Sequence, residues 1–549
     1  MLLKEDATTQ KLRGAYYTPN KLVKFIVKEF EKDIKNNKIK TILEPSCGDG
    51  VFLEELAQIK HIDNVDSILA VEIEEEEAKK AGQKKIKNMK VANDDFIKLY
   101  DLELKNKKYD LIIGNPPYIR YQYLNDEQRR VQSDILVKNG MKSNKLINAW
   151  VCFLVACIEL LNENGSIAFV IPAEILQVAY AEDLRLFISN TLEKITIITF
   201  EELVFENIQQ EVVVLIGKKN TKKAMKCSKI GVKQLKNLNC LDNLNIKKIE
   251  YNFIEHTKEK WTKYFVEDHK NELIDEIKND NRFTTLGKLG KVNVGITTGS
   301  NEYFSVNNEV IKKYELEEVV IPLIGRSAHA HGIYFTREDW IFNVNNNKNA
   351  YLIKFPDDIE YENYRDKHKE YIELGEEKEI NKGYKCSIRK RWYIVPSIWI
   401  PDAFLLRRNS SFPKFVLNDI NAVSTDTMHR IKFNEGVQRD KVLLSYYNSI
   451  TFAYTELNGR SYGGGVLEIL PREASNIVLP DLKDFDLFKT HELLKLIDKT
   501  IRNDLPIEDL LDTIDKIVLI DYLGVSKETC NEFRNMWKTL MERRHARAK

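Results

Sequence analysis

Along the first 220 positions, compact apolar blocks alternate with amphipathic stretches. The blocks predict strands over Thr41–Ser46, Ser67–Ile73, Lys90–Phe96, Tyr109–Gly114, Ser166–Ala173, Ile195–Phe200 and Val212–Ile216. The stretches between them predict helices over Val51–Gln58, Glu74–Asn88, Ala149–Leu161 and Tyr180–Asn190. Strands alternating with helices indicate βαβ units and a mainly parallel sheet covered on both faces. The pattern breaks at Lys218–Lys223 (KKNTKK), and residues 221–283 are Asn/Lys-rich with weak periodicity, as expected of a connecting region. From Thr284 to 483 short strand-like runs, aromatics and Gly/Asn turns predict a second, mixed α/β domain. Residues 484–549 turn helical, through LFKTHELLKLIDKTI and then IEDLLDTIDKIVLIDYLGV.

Size and charge narrow the class. At about 150 residues per domain, 549 residues suggest two to four domains. Lys+Arg minus Asp+Glu is 84 − 83 = +1, which excludes wholesale electrostatic binding of nucleic acid but leaves room for a local basic cleft. The longest apolar run, Ala149–Ile158, is ten residues, about half of a membrane span. The opening MLLKEDATTQ carries no apolar signal core. Seven scattered cysteines form no CxxC, so neither a disulfide framework nor a metal site is expected. These features predict a cytoplasmic protein without a membrane segment.

Four local signals follow one another on the predicted α/β domain. Glu44-Pro45-Ser46-Cys47-Gly48-Asp49-Gly50 joins a strand to a helix. Glycines there let the backbone approach a ligand, and the helix start offers free N–H groups; a plain strand-to-helix turn explains the same residues equally well. Glu72 ends the next strand, where an acid suits a pair of ribose hydroxyls, or is simply the first of the solvated acids leading into Glu74–Glu77. Asn93-Asp94-Asp95-Phe96 ends the third strand. An acid there can accept from an adenine amino group beside an aromatic ring, although an ordinary strand-end turn has the same composition. The fourth signal, Asn115-Pro116-Pro117-Tyr118 after Leu111–Gly114, is the specific one. Two prolines fix the backbone and remove donors. The Asn115 side-chain oxygen and the Pro116 carbonyl can then accept together from one exocyclic amino group. That localises the nitrogen lone pair, while Tyr118 stacks on the base carrying it.

These segments, with the upstream Gly14-Ala15-Tyr16-Tyr17-Thr18-Pro19, resemble the gamma class of adenine-N6 DNA methyltransferases of the restriction–modification type. The resemblance implies a Rossmann-like S-adenosylmethionine-dependent domain over 1–220 and a C-terminal target-recognition domain over 284–483. It implies that Tyr17 and Thr18 contact S-adenosyl-L-methionine and that Pro45, Ser46 and Gly48 line its methionine part. Glu72 would hold the ribose, and Ile73, Asp95 and Phe96 the adenine. Asn115, beside the cofactor, would orient the target amine together with Pro116 and Pro117. Tyr118 and Phe205 would clamp a base flipped out of double-stranded DNA. Asn rather than Ser at position 115 favours adenine over cytosine-N4. The family's pattern also admits a cognate restriction endonuclease acting separately, and a monomeric enzyme.

Residues 381–480 carry 14 Lys/Arg against 8 Asp/Glu. Basic residues interleaved with aromatics suit phosphate contact, which makes Arg389, Arg391 and Trp392 candidate DNA contacts; a solvated basic face has the same composition. Arg326, after Pro322-Leu323-Ile324-Gly325, and Arg460 and Tyr462 in the run to Gly465 are further candidates, and Gly295–Ser300 resembles segments of recognition domains. Arg543, Arg544, Arg547 and Lys549 read as a cationic tail rather than an added clamp. The competing functions are an amino methyltransferase acting on RNA or on protein glutamine, and a catalytically inactive DNA-binding homologue. A fused nuclease is not expected, since no acid–acid–Glu-x-Lys cluster stands out.

Overall fold

The computed structural model describes residues 18–546 except 146, 206–209, 220–228, 255–259, 262–263, 265–267 and 463–464. The chain forms two compact units that part between Asn271 and Glu272. None of the described helices is long and apolar enough to cross a membrane.

The first unit is built on a nine-stranded sheet. Its strands are β1 (Thr41–Glu44), β2 (Ser67–Glu72), β3 (Met89–Asn93), β4 (Tyr109–Gly114), β5 (Leu161–Pro172), β6 (Leu192–Phe200), β7 (Val212–Lys219), β8 (Lys229–Leu235) and β9 (Asn252–Phe253). They lie in the order β3-β2-β1-β4-β5-β7-β6-β8-β9. The run from β3 to β5 is parallel, and β7 enters antiparallel between β5 and β6. The chain reverses its direction of travel across the sheet between β1 and β4. Loops leaving the carboxyl ends of those two strands diverge there and open a crevice, the usual ligand site of such sheets.

Burial explains why the parallel strands were legible. In β4, Ile112 faces one core with Leu43, Val71 and Phe169. Its neighbours Leu111 and Ile113 face the other, with Ile42, Ile68 and Ala70. A strand covered on both faces reads as an unbroken apolar run. Helix Ala149–Glu159 buries all of its first ten residues, Trp150 among them. Helix Asn20–Lys35 buries one stripe, including Leu22, Ile26, Phe30 and Ile34.

Several elements went unpredicted, helix Asn20–Lys35 among them. Helix Asp126–Lys138 buries only Val131, Gln132, Ile135 and Leu136. It starts in a capping box, Asn125 bonding Gln128 in both directions, which satisfies otherwise orphaned donors. Within the expected connecting region 221–283, β8 pairs in parallel along the whole of Lys229–Leu235 with β6 and extends the sheet. The KKNTKK run falls on residues 218–223, of which 220–223 lie outside the described residues.

Among its described residues the second unit contains four small sheets of short strands. The largest has five, in the order Gly290–Val294, Met428–Phe433, Ala403–Leu406, Phe415–Asn418, Tyr334–Phe335. Helices Leu487–Arg502, Ile507–Ile514 and Lys527–Ala546 complete it. The expected cationic tail is corrected at Arg544, which is 2% exposed. It pairs with buried Glu456 at 2.7 Å and donates to the carbonyls of Ser410 and Gly465. Arg547 and Lys549 lie outside the described residues.

Candidate active site at the carboxyl edge of the first sheet

The crevice between β1 and β4 gathers most of the residues singled out in the sequence. The loop 45–50 leaves β1 and is anchored at several points. Cys47 N–H donates to the Val71 carbonyl (2.9 Å) and Gly48 N–H to Glu72 Oε2 (2.8 Å). Glu72 Oε1 accepts from Glu74 N–H at 2.9 Å. The carboxylate is thus fixed by two backbone donors while retaining lone pairs for further donors. Burial raises the Glu72 pKa, and those backbone bonds oppose the rise. Gly50 has φ +87° and packs so closely on helix Glu75–Gly82 that a Cβ would sit 2.9 Å from Ala81 Cα. Only glycine fits there.

Across the crevice, the Ser46 hydroxyl donates to the Asn115 carbonyl at 3.2 Å. This bond ties the glycine loop to the Asn-Pro-Pro-Tyr turn. Gly114, at φ +150°, lies against Glu44 and Pro45, where a Cβ would approach each side chain to 3.6 Å. Asn115 is half-buried and Pro116 buried. Tyr118 is half-buried too, its hydroxyl donating to the Val170 carbonyl on β5 at 3.1 Å. Thr18 is buried, and Phe205 is buried in the core that packs against Tyr118. Tyr17, and Glu206 to Gln209 after Phe205, lie outside the described residues.

Beside β2 and β3 a cavity of about 380 Å³ is lined by Ile73, Asn93, Asp95, Asn125 and Gln128. That is the scale of a small-molecule site. Ile73 is 57% exposed, an apolar surface waiting for a flat partner. Asp95 Oδ1 caps Ile97 N–H (2.8 Å), and Oδ2 accepts from Gln128 Nε2 (2.6 Å). Phe96 is placed differently from expectation. Its ring is 2% exposed and packs on Phe153 at 5.0 Å between centroids.

Two contributors escaped the sequence reading. Gln128 ties the polar helix Asp126–Lys138 to Asp95; its only signal was the Asn125–Gln128 capping spacing. Glu44 is 1% exposed, and its Oε2 has no hydrogen-bond partner among the described residues. Burial first, then Glu72 and Asp49, pushes its pKa well up. A cationic donor brought into the crevice would relieve both penalties. The α-ammonium of a methionine group, with a ribose for Glu72 and an adenine over Ile73, fits this donor set. Cys47 is buried, and burial first, then Glu44 and Glu72, push its thiol pKa well up, as for a structural rather than a reactive cysteine.

The candidate DNA contacts of the second unit separate sharply. Arg389 donates to the carbonyls of Thr298 (2.6 Å), Thr297 (3.2 Å) and Trp392 (3.2 Å). Arg391 donates to the carbonyls of Ile359 (2.6 Å) and Asp357. Trp392 packs on Tyr303 (5.3 Å) and donates to Glu376 (3.0 Å). Arg460 pairs with Glu473 at 2.6 Å. All four hold the fold together. Arg326 alone among the candidates is exposed with a guanidinium that makes no hydrogen bond or ion pair to another described residue. Tyr462 lies in strand Arg460–Tyr462, with its side chain outside the described set.

The strand order with its antiparallel β7, and the ligand loops at the β1/β4 reversal, define a Rossmann-like methyltransferase domain of the S-adenosylmethionine-dependent type. Residues 20–205 match the family described as Eco57I restriction-modification methylase, and 258–519 match the C-terminal domain of Type II methyltransferase M.Eco57I. The chain is 28% identical over 516 residues to Type II methyltransferase M.AccI of Acinetobacter calcoaceticus, covering 89% of this chain and 90% of that protein. It is 24% identical over 488 residues to M.BanIII of Aneurinibacillus aneurinilyticus, covering 76% and 80%. Among solved structures, the fold is shared with MmeI in complex with DNA (TM-score 0.60, 14% identity, 98% of this chain and 80% of that one). It is also shared with the DrdV–DNA complex (TM-score 0.55, 12% identity), covering 90% of this chain and 58% of that one. The chain belongs to the gamma-class methyltransferases of restriction–modification systems, with the C-terminal domain of that group.

Proposed function

We propose that the protein transfers a methyl group to N6 of an adenine turned out of double-stranded DNA. The observation that carries this reading is the Asn115–Tyr118 turn held against the glycine loop by the 3.2 Å Ser46–Asn115 bond. S-adenosyl-L-methionine, when bound, supplies an electrophilic methyl group. Glu44 takes its ammonium, Glu72 its ribose hydroxyls, and Ile73 and Asp95 its adenine. The Asn115 side-chain oxygen and the Pro116 carbonyl accept the two N–H bonds of the target amine. Its lone pair would then be localised for attack on the methyl group, the sulfonium leaving as a neutral thioether and one amine proton passing to solvent, and alignment would supply most of the rate. Turning out a base costs about a few kcal/mol. Stacking on Tyr118, with Phe205 behind it, offsets this by roughly 1–3 kcal/mol per base. The second unit reads the DNA word. The reading includes a cytoplasmic monomer accompanied by a separately acting restriction endonuclease.

Incubation with methyl-labelled S-adenosylmethionine and unmethylated genomic DNA tests it. The expected product is N6-methyladenine at one recurring word. Label in cytosine, RNA or protein instead would overturn the assignment of the target.

A further inference from the structure

The cations and aromatic that the sequence nominates over 389–392 face inward, yet the segment remains the most basic stretch of the second unit's surface. Residues 378–391 carry six Lys/Arg and one acid. With Arg389 and Arg391 occupied by backbone carbonyls, the outward face is left to other residues. Tyr384 is 75% and Ile388 64% exposed, two large apolar side chains one helical turn apart. Lys385 and Lys390 flank them, both exposed. Lys385 sits over the Tyr384 ring at 5.6 Å, and Lys390 has no hydrogen bond or ion pair to another described residue.

This face is held firmly in place. The Gly295–Ser300 loop approaches so closely that a Cβ on Gly299 (φ +92°) would meet Cys386 Sγ at 2.7 Å and Lys385 Cβ at 3.2 Å. Arg389 locks the same loop through Thr297 and Thr298. Ile296 N–H in turn donates to the Ser424 carbonyl (2.8 Å), and the neighbouring Thr425 hydroxyl to Gly325 (3.5 Å), the residue before exposed Arg326. A rigid, basic, apolar-tipped edge is unusual on a surface facing only water. It matches a phosphate backbone with a groove between its strands.

We infer that Tyr384 and Ile388 form a wedge inserted into a groove of duplex DNA, with Lys385 and Lys390 on the flanking phosphates. This rests on the reading of the protein as a DNA methyltransferase. Apolar wedges of this kind unstack a base step and bend the duplex, whereas each neutralised phosphate adds about 0.9 to the salt slope of binding.

Two double variants separate these contributions on the full-length protein, with a random-sequence duplex titrated at several salt concentrations. Lys385→Ala/Lys390→Ala is expected to lower the slope of log K against log salt by about 2. Tyr384→Ala/Ile388→Ala is expected to keep the slope, weaken binding about tenfold and reduce DNA bending measured by end-to-end energy transfer. Cofactor affinity and melting temperature should stay at wild-type values, because all four side chains are exposed. Wild-type slope, affinity and bending in both variants would overturn the inference while leaving the methyltransferase reading intact. A wild-type protein that binds no duplex would overturn both. Loss of binding to single-stranded RNA but not to duplex DNA would overturn the inference too.

Discussion

The two units use charge in opposite ways. In the first, acids accumulate at one edge of the sheet without cations to match them. Glu44 and Glu72 are both driven upward in pKa by burial, and Glu44 is raised further by its acidic neighbours. In the second, several arginines are each matched to an acid. Arg502 pairs with Asp339, Arg534 with Asp515, Arg544 with Glu456, and Arg407 with Glu468. Imbalance marks a site awaiting a ligand, whereas balance marks a scaffold. A basic sequence composition therefore says little about DNA contact until each guanidinium has been traced to its partner.

The largest expected effect tests the scaffold. Arg544→Met removes one member of a fully buried pair and leaves Glu456 alone. Losses of this type run to about 3–5 kcal/mol. Chemical denaturation should show the second unit losing stability by that order, with cofactor binding by the first unit preserved. A change under about 1 kcal/mol, the scale of a surface pair, would mean that Arg544 behaves as the cationic tail its sequence suggests.

Next comes the site. Asn115→Ala removes one preorganised acceptor for the target amine. Losses on the order of 10²–10³ in turnover are typical for such groups. Single-turnover methylation should fall by that order while the cofactor dissociation constant changes little. An equal loss in cofactor affinity would shift the role of Asn115 from the amine to the cofactor.

The acid imbalance also carries a pH signature. The Glu44 pKa is raised above 4.5 in the folded state, so its stabilising contribution is present at low pH and disappears as pH rises through the raised value. Glu44→Gln, which stays neutral, should lack this dependence. Melting temperatures from about pH 5 to pH 8 should therefore diverge, the wild type declining relative to the variant. Adding S-adenosylmethionine should narrow the gap if its ammonium pairs with Glu44. Parallel curves without cofactor would show that Glu44 is solvated and uncoupled.

What could be read from the chain follows the same division. β4 was legible to the residue, Tyr109–Gly114, because the doubly covered run Leu111–Gly114 is wholly buried and Asp110 at its start is the one polar residue. β8 was not, because Lys229, Lys233 and Gln234 interrupt an element, second from the edge of the sheet, whose pairing with β6 is nonlocal. Helix Asp126–Lys138 hid for a similar reason, having few buried positions. At the site, motif order marked the loops that carry Glu72 and Asn115 at the β1/β4 crevice and Asp95 at the cavity beside β2 and β3, but not the direction of each side chain. Phe96 follows Asp95 by one residue and turns into the core instead. In the second unit, the spacing of Arg389, Arg391 and Trp392 was visible. The carbonyls that capture them come from residues 297–298 and 357–359, far away in sequence.

The smallest expected effect is the sharpest test of the comparison. Arg391→Ala deletes a cation from the basic run 378–391. Composition alone predicts a loss of about one phosphate contact and a salt slope lower by about 0.9. The structure predicts no change in slope, because the guanidinium is directed at the carbonyls of Asp357 and Ile359. Its loss should appear as a modest destabilisation, about 1 kcal/mol for hydrogen bonds at a partly exposed position. Lys390→Ala, one residue earlier, reverses the pattern: stability is unchanged and the slope falls by about 0.9. If the two variants exchanged these behaviours, Arg391 would face the DNA and Lys390 would not.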